Sequence, residues 1–97
     1  VSIENITKVV CTALSVDENK LRDKTRKKEV VFARQMAMFF SKELTKSSLK
    51  TIGLHFGGRD HSTVIHACNS IEQLRLEDLN TKHLVENLRS QIEIACS

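Results

Sequence analysis

The sequence predicts an all-α fold, a compact bundle of about six helices built around a helix-turn-helix, and three observations predict it. Helix breakers are scarce, with no Pro and three Gly in 97 residues. Apolar residues make up 40% of the chain and recur at helical spacing, which suffices for a packed core. Gly57-Gly58 separates two such segments, and glycine accepts the left-handed backbone that ends a helix. Residues 1–97 are expected to form a single domain, with the helix-turn-helix at about 48–76.

Ser2 can cap a first helix in which Ile3, Ile6, Val9, Val10, Ala13 and Leu14 share one face. Ser15-Val16-Asp17-Glu18 has capping-box spacing and predicts a short helical turn ending near Leu21. The stretch Arg22-Asp23-Lys24-Thr25-Arg26-Lys27-Lys28 holds no apolar residue, so an exposed basic loop with nothing to anchor it in a core is expected. From Glu29 to about Leu44, Val30, Val31, Phe32, Met36, Ala37, Phe39, Phe40 and Leu44 are too many for one stripe; this predicts a central helix buried on several sides.

Ser48 can cap a short helix from Leu49 to about Phe56, with Leu49, Ile52 and Phe56 inward. After the glycine pair, Asp60 is a good N-cap for a helix to about Leu76, whose inner face would be Val64, Ile65, Cys68, Ile71 and Leu74. A last helix, capped by Asn80 or Thr81, would place Leu84, Leu88 and Ile92 on one stripe. His66 is expected to be partly buried, and His55 and His83 at the surface.

Net charge is only +3, but it is unevenly laid out. Residues 20–59 hold 11 of the 15 Lys and Arg against 3 of the 12 Asp and Glu, a net +8 against −5 for the remainder. A basic face and an acidic back suit docking on a polyanion from one side, the alternative being a generic solvated surface. Cys11, Cys68 and Cys96 are odd in number and show no C-x-x-C spacing, which disfavours a disulfide framework or a zinc site and fits a reducing cytosol. No apolar run approaches the roughly 20 residues of a membrane span, and Val1-Ser2-Ile3-Glu4 lacks a signal-peptide layout, so a soluble cytoplasmic protein is expected. The missing initiator Met suggests a fragment of a longer chain.

The second helix of the pair begins with five polar residues, Arg59, Asp60, His61, Ser62 and Thr63, before its apolar stripe starts at Val64. That end must point away from the core. In a helix-turn-helix it enters the major groove first, where a carboxylate accepts from cytosine N4, imidazole and hydroxyl donate or accept, and a Thr methyl packs on thymine. The alternative is an ordinary capped helix start facing solvent. Lys42, Lys46, Ser47, Ser48 and Lys50 cluster around the start of the first helix of the pair, where cations and free amides would grip phosphate. Arg26 sits in a loop long enough to reach a neighbouring minor groove, although a charge run is more commonly a solvated or nonspecific phosphate patch.

Phe56-Gly57-Gly58-Arg59-Asp60-His61-Ser62-Thr63-Val64-Ile65-His66-Ala67-Cys68 resembles the signature of the C-terminal DNA-binding domain of the bacterial chromosomal replication initiator DnaA. Arg34 to Met38, Lys42 to Thr45, Ser48-Leu49, Ile52-Gly53 and Ile71 to Leu74 extend the resemblance over nearly the whole chain. It implies a Trp-repressor-like helix-turn-helix that binds the short A/T-rich DnaA boxes of the replication origin as a monomer near the nucleoid. Base contacts would fall to Asp60, His61 and Ser62 in the major groove and to Arg26 in the minor groove. The DNA backbone would be held by Lys28, Arg34, Gln35, Lys42, Lys46, Ser48, Leu49, Lys50, Arg59 and Thr63. Three departures stand out: Ser62 where the family commonly has Thr, and Ala33 and Lys50 in place of prolines of some relatives.

The family's ATP-dependent steps belong to a separate module. Here no G-x-x-x-x-G-K-[ST] loop exists, so neither ATP nor another cofactor is expected in this chain, nor enzyme activity. A metal hydrolase built on Asp60, His61, His66 and Glu72 is disfavoured because the two histidines are five apart, about 140° around a helix, rather than i,i+4. A transcription regulator would share the helix-turn-helix but would usually be dimeric on a palindrome. A module that binds only protein is the remaining alternative, and the acidic back could receive regulators of initiation.

Overall fold

The computed structural model describes residues 1–96. Ser97, included in the expected domain, lies outside the described residues. Five α-helices follow in order, α1 (Ile3–Leu14), α2 (Lys28–Leu44), α3 (Leu49–His55), α4 (His61–Glu77) and α5 (Leu79–Ala95), with a 3-10 turn (Glu18–Arg22) between α1 and α2. The all-α expectation holds, with the sixth helical piece a single 3-10 turn.

α2 is the central helix. Val30, Ala33, Met36, Ala37, Met38, Phe39 and Phe40 are all buried, and α1, α3, α4 and α5 each contribute to the same core cluster around them. Phe39 and Phe40 meet edge to face, their ring centroids 5.2 Å apart, a favoured aromatic geometry. Arg89 of α5 lies over the Phe40 ring at 5.8 Å while its Nε and Nη2 donate to the Glu43 carboxylate at 2.9 and 2.7 Å, tying α5 to α2.

The structure corrects several local expectations. Ser15 is not the start of a capping box. It ends α1 in the left-handed region, φ 57° and ψ 44°, with its N–H on the Cys11 and Thr12 carbonyls, and Asp17 caps the 3-10 turn by accepting from the Asn19 N–H. The chain must reverse within three residues, and that need overrides the local pattern. A Cβ in this region costs about 1–2 kcal/mol, while glycine adds about 0.4–1 kcal/mol of unfolded-state entropy. Ser15→Gly is therefore expected to stabilise the fold by about 0.5–1 kcal/mol, read as a rise in Tm of about 2–8 °C; an unchanged or lower Tm refutes it.

Asp78, rather than Asn80 or Thr81, caps α5, its carboxylate accepting from the Asn80 N–H and the Thr81 hydroxyl. The same residue ends α4, its N–H bonded to the Leu74 carbonyl, so α4 and α5 meet across a single residue. The inner face of α4 runs through Val64, Ala67 and Ile71; Ile65 and Leu74 are exposed, and Cys68 is half-buried. Ala67 takes the central position because α4 lies close against α2, and a small side chain permits that approach. His66 is exposed, not partly buried, and His55 is half-buried beside Glu4 at 3.6 Å.

Candidate nucleic-acid interface

The helix-turn-helix is α3, a five-residue turn and α4. Ser48 opens α3 as expected, its Oγ accepting from the Thr51 N–H at 3.1 Å and donating to Thr51 Oγ1 at 3.0 Å. Gly57 and Gly58 carry the turn with φ of 84° and 75°, which glycine alone adopts without strain. Gly53, on the buried face of α3, matters as much. Its carbonyl accepts from the N–H groups of Phe56, Gly58 and Arg59, folding the turn back on the helix. A Cβ there would stand well under 3.0 Å from the Arg59 carbonyl oxygen. Spacing drew attention to the glycine pair and missed this close approach.

Asp60 caps α4 as predicted. Its Oδ1 accepts from the Ser62 and Thr63 N–H groups at 2.9 and 3.2 Å and from the Ser62 hydroxyl at 2.6 Å. The Ser62 hydroxyl, followed by these amides, holds the Asp60 carboxyl below its ordinary range, so it stays ionised. The expected base-reading carboxylate is thus also the helix cap, and these bonds use Oδ1 while leaving Oδ2 outside them. His61, Ser62 and Thr63 are exposed on the first turn of α4, while Val64 behind them is fully buried. The polar tip therefore faces outward on a rigid stem of 17 residues, about 25 Å long.

The phosphate-binding candidates divide. Lys28, Lys42, Lys46, Lys50 and Arg26 are exposed, Gln35 and Leu49 half-buried, with Leu49 packed against the core. Lys28 and Lys42 lie at opposite ends of α2, about 21 Å apart by helical rise, too far for one anion to meet both.

Arg34 and Arg59, expected as DNA backbone contacts, are engaged within the fold. Arg34 is only 8% exposed, and its Nε and Nη2 donate to the Leu21 and Asp23 carbonyls at 2.8 and 2.9 Å. Arg59 is half-buried; its Nη1 donates to the Phe56 carbonyl and its Nη2 to the Asp23 carbonyl at 2.6 Å. Burial pulls both guanidinium groups below the usual arginine range, and for Arg34 the neighbouring Arg59 charge adds to it. The sequence places nothing apolar in the basic loop, yet the loop is anchored through its backbone. Arg22, overlooked in the sequence, completes the seam by donating from Nε to the His55 carbonyl at 3.1 Å. The available signal was a charged residue, Arg34, set between the apolar runs Val30–Ala33 and Met36–Phe40 of the central helix.

Four further observations bound the chemistry. Among the described residues, no group of three or more His, Cys, Asp or Glu is placed to hold a metal ion, and no helix is long and apolar enough to cross a membrane. Cys11, Cys68 and Cys96 are free thiols, and burial pushes that of Cys11 up to about 11. Glu4, Asp17 and Glu18 line a pocket with Arg22 and His55 on the α1 side of the molecule.

Residues 3–71 match the family model described as the bacterial DnaA protein helix-turn-helix. The chain is 53% identical over 93 residues to the chromosomal replication initiator protein DnaA of Chlorobaculum tepidum, covering 96% of this chain and 19% of that protein. It is 45% identical over 94 residues to the DnaA of Flavobacterium psychrophilum, covering 97% and 20%, and 41% identical over 92 residues to that of Geotalea uraniireducens, covering 95% and 20%. The chain spans about a fifth of the length of these relatives. With its helix-turn-helix, its capped polar tip and this likeness over nearly its whole length, the chain belongs to the bacterial DnaA family, as a C-terminal DNA-binding domain of the helix-turn-helix type.

Proposed function

We propose that this domain recognises short A/T-rich DnaA boxes at a replication origin, with α4 in the major groove and the basic loop in the adjacent minor groove. The exposed tip of α4 carries the proposal, because three polar side chains and an ionised cap project from a helix anchored in the core by Val64, Ala67 and Ile71. Asp60 through Oδ2, His61 and Ser62 meet base edges, and Thr63 holds a phosphate. Arg26, exposed in the loop beside the turn, enters the minor groove, where A·T tracts offer a narrow, negative slot. Lys28, Gln35, Lys42, Lys46, Ser48, Leu49 and Lys50 position the DNA backbone, Leu49 through its main-chain amide at the start of α3. The domain acts as a monomer on one asymmetric box in the cytoplasm, regulators of initiation meet its acidic surface, and nucleotide chemistry resides in another part of the longer initiator.

Selection from a random duplex library tests this. One asymmetric A/T-rich box is the expected product, and a strict requirement for an inverted repeat sinks the proposal. His61→Ala should relax base choice at a cost of about 1–3 kcal/mol, whereas Lys42→Ala should weaken all duplexes equally and lower the salt slope by roughly one. Identical selection profiles for the two variants would refute that division.

A further inference from the structure

We propose that Arg59, together with Arg34, is a positioning residue that sets the distance between the Arg26 loop and the tip of α4, so that both grooves are read in one fixed register. The proposal rests on the groove assignments made above for Arg26 and for Asp60, His61 and Ser62.

The loop from Asp23 to Lys27 has no buried side chain of its own. Its attachment is the Asp23 carbonyl oxygen, approached by two cations from different elements, Arg34 Nη2 of α2 at 2.9 Å and Arg59 Nη2 of the turn at 2.6 Å. The Leu21 carbonyl, two residues earlier, is held by Arg34 Nε. The seam is also sewn from the loop side, where Arg22 Nε reaches the His55 carbonyl at the end of α3. Gly57 presses on the same place, since a Cβ there would collide with the Arg22 carbonyl and stand 2.7 Å from Arg59 Nη1. Hydrogen bonds therefore cross in both directions between residues 22–23 and the helix-turn-helix, and packing leaves no slack between them.

Arg59 lies one residue before the Asp60 cap, so whatever fixes its guanidinium also fixes the start of α4. Both of its terminal nitrogens point inward to carbonyls, which leaves no fork for a phosphate. A planar guanidinium can hold two carbonyls at a set geometry, whereas a lysine ammonium on a flexible stem supplies charge without that geometry. Arg59→Lys thus separates positioning from phosphate binding, because the charge stays and the fork goes.

The test compares Arg26→Ala, Arg59→Lys and the double variant of the 97-residue chain by random-duplex selection and by titration against the selected box. Arg59→Lys is expected to lose preference at the minor-groove positions while keeping it at the positions read by α4. Affinity should fall roughly tenfold, with the salt slope unchanged. The double variant should bind no worse than Arg26→Ala, because a loop without its arginine has nothing left to position. An Arg59→Lys variant with wild-type affinity, or one weakened uniformly and additively with Arg26→Ala, overturns the proposal. If Arg26→Ala itself leaves the minor-groove preference intact, the groove assignment fails and the proposal with it, which the first comparison shows separately. Should Arg59→Lys unfold at the assay temperature, Arg34→Lys opens the same seam from α2 and is held to the same outcomes.

Discussion

Replacing Gly53 by Ala is expected to lower the stability of the domain by about 3 kcal/mol and its Tm by about 15 °C. Two effects oppose each other. Alanine favours a helix over glycine by about 1 kcal/mol, so in an open helix the substitution would stabilise. Here the new methyl group meets the carbonyl oxygen of Arg59, a main-chain atom that cannot rotate away as a side chain could. The carbonyl of Gly53 itself accepts from the N–H groups of Phe56, Gly58 and Arg59, so a retreat of α3 stretches all three bonds. Overpacking against backbone wins. The angle between α3 and α4 depends on this contact, and DNA affinity should fall with stability even at temperatures where the variant is folded. Gly58→Ala is the control, because a Cβ there meets open space and the cost is only that of a left-handed backbone, about 1–2 kcal/mol. A thermal melt in which Gly53→Ala equals or exceeds the unsubstituted domain would falsify the packing account.

The second large effect is on binding. Arg26, Lys28, Lys42, Lys46 and Lys50 are exposed cations proposed to meet DNA; with the minor-groove Arg26 displacing a counterion as each lysine does on a phosphate, five such charges correspond to a log–log salt slope of about −4.5. Affinity should then fall roughly 500-fold between 50 and 200 mM salt. Had Arg34 and Arg59 also bound phosphate, the slope would be about −6 and the loss several thousand-fold. Fluorescence titration of one labelled box across that range distinguishes the two counts. A slope shallower than about −2 would contradict phosphate neutralisation by this basic segment altogether.

Much of this architecture is legible in the sequence because it rests on short-range regularities. An apolar density too great for one stripe marked α2 as central, and Ser48 and Asp60 announced both helices of the pair by their capping chemistry. The glycine pair located the turn. What sequence spacing could not resolve depended on competition between neighbours or on distant partners. Ser15 satisfied a capping pattern yet closed the preceding helix, because the direction of the chain was decided by where the 3-10 turn packs. The inner face of α4 shifted to Ala67 because closeness to α2 favoured a small residue over Ile65 or Leu74. The seam around Asp23 joins residues 11 and 36 positions apart through main-chain carbonyls, which leave no mark on residue type. Its only trace was an arginine where an apolar residue belonged.

On the proposed reading, the double duty of Asp60 as helix cap and base reader also constrains how such a domain can change its preferred site over evolutionary time. A substitution at Asp60 that alters base choice also frees the amides of residues 62 and 63 and frays the helix that presents every other reader. Drift toward new target sequences is therefore channelled to its neighbours. Exchange between Thr and Ser at position 62 is the mildest such step, because it keeps the hydroxyl that Asp60 accepts and changes only a methyl group at the DNA surface. On the same reading, a lineage can retune its preferred site there without loosening α4.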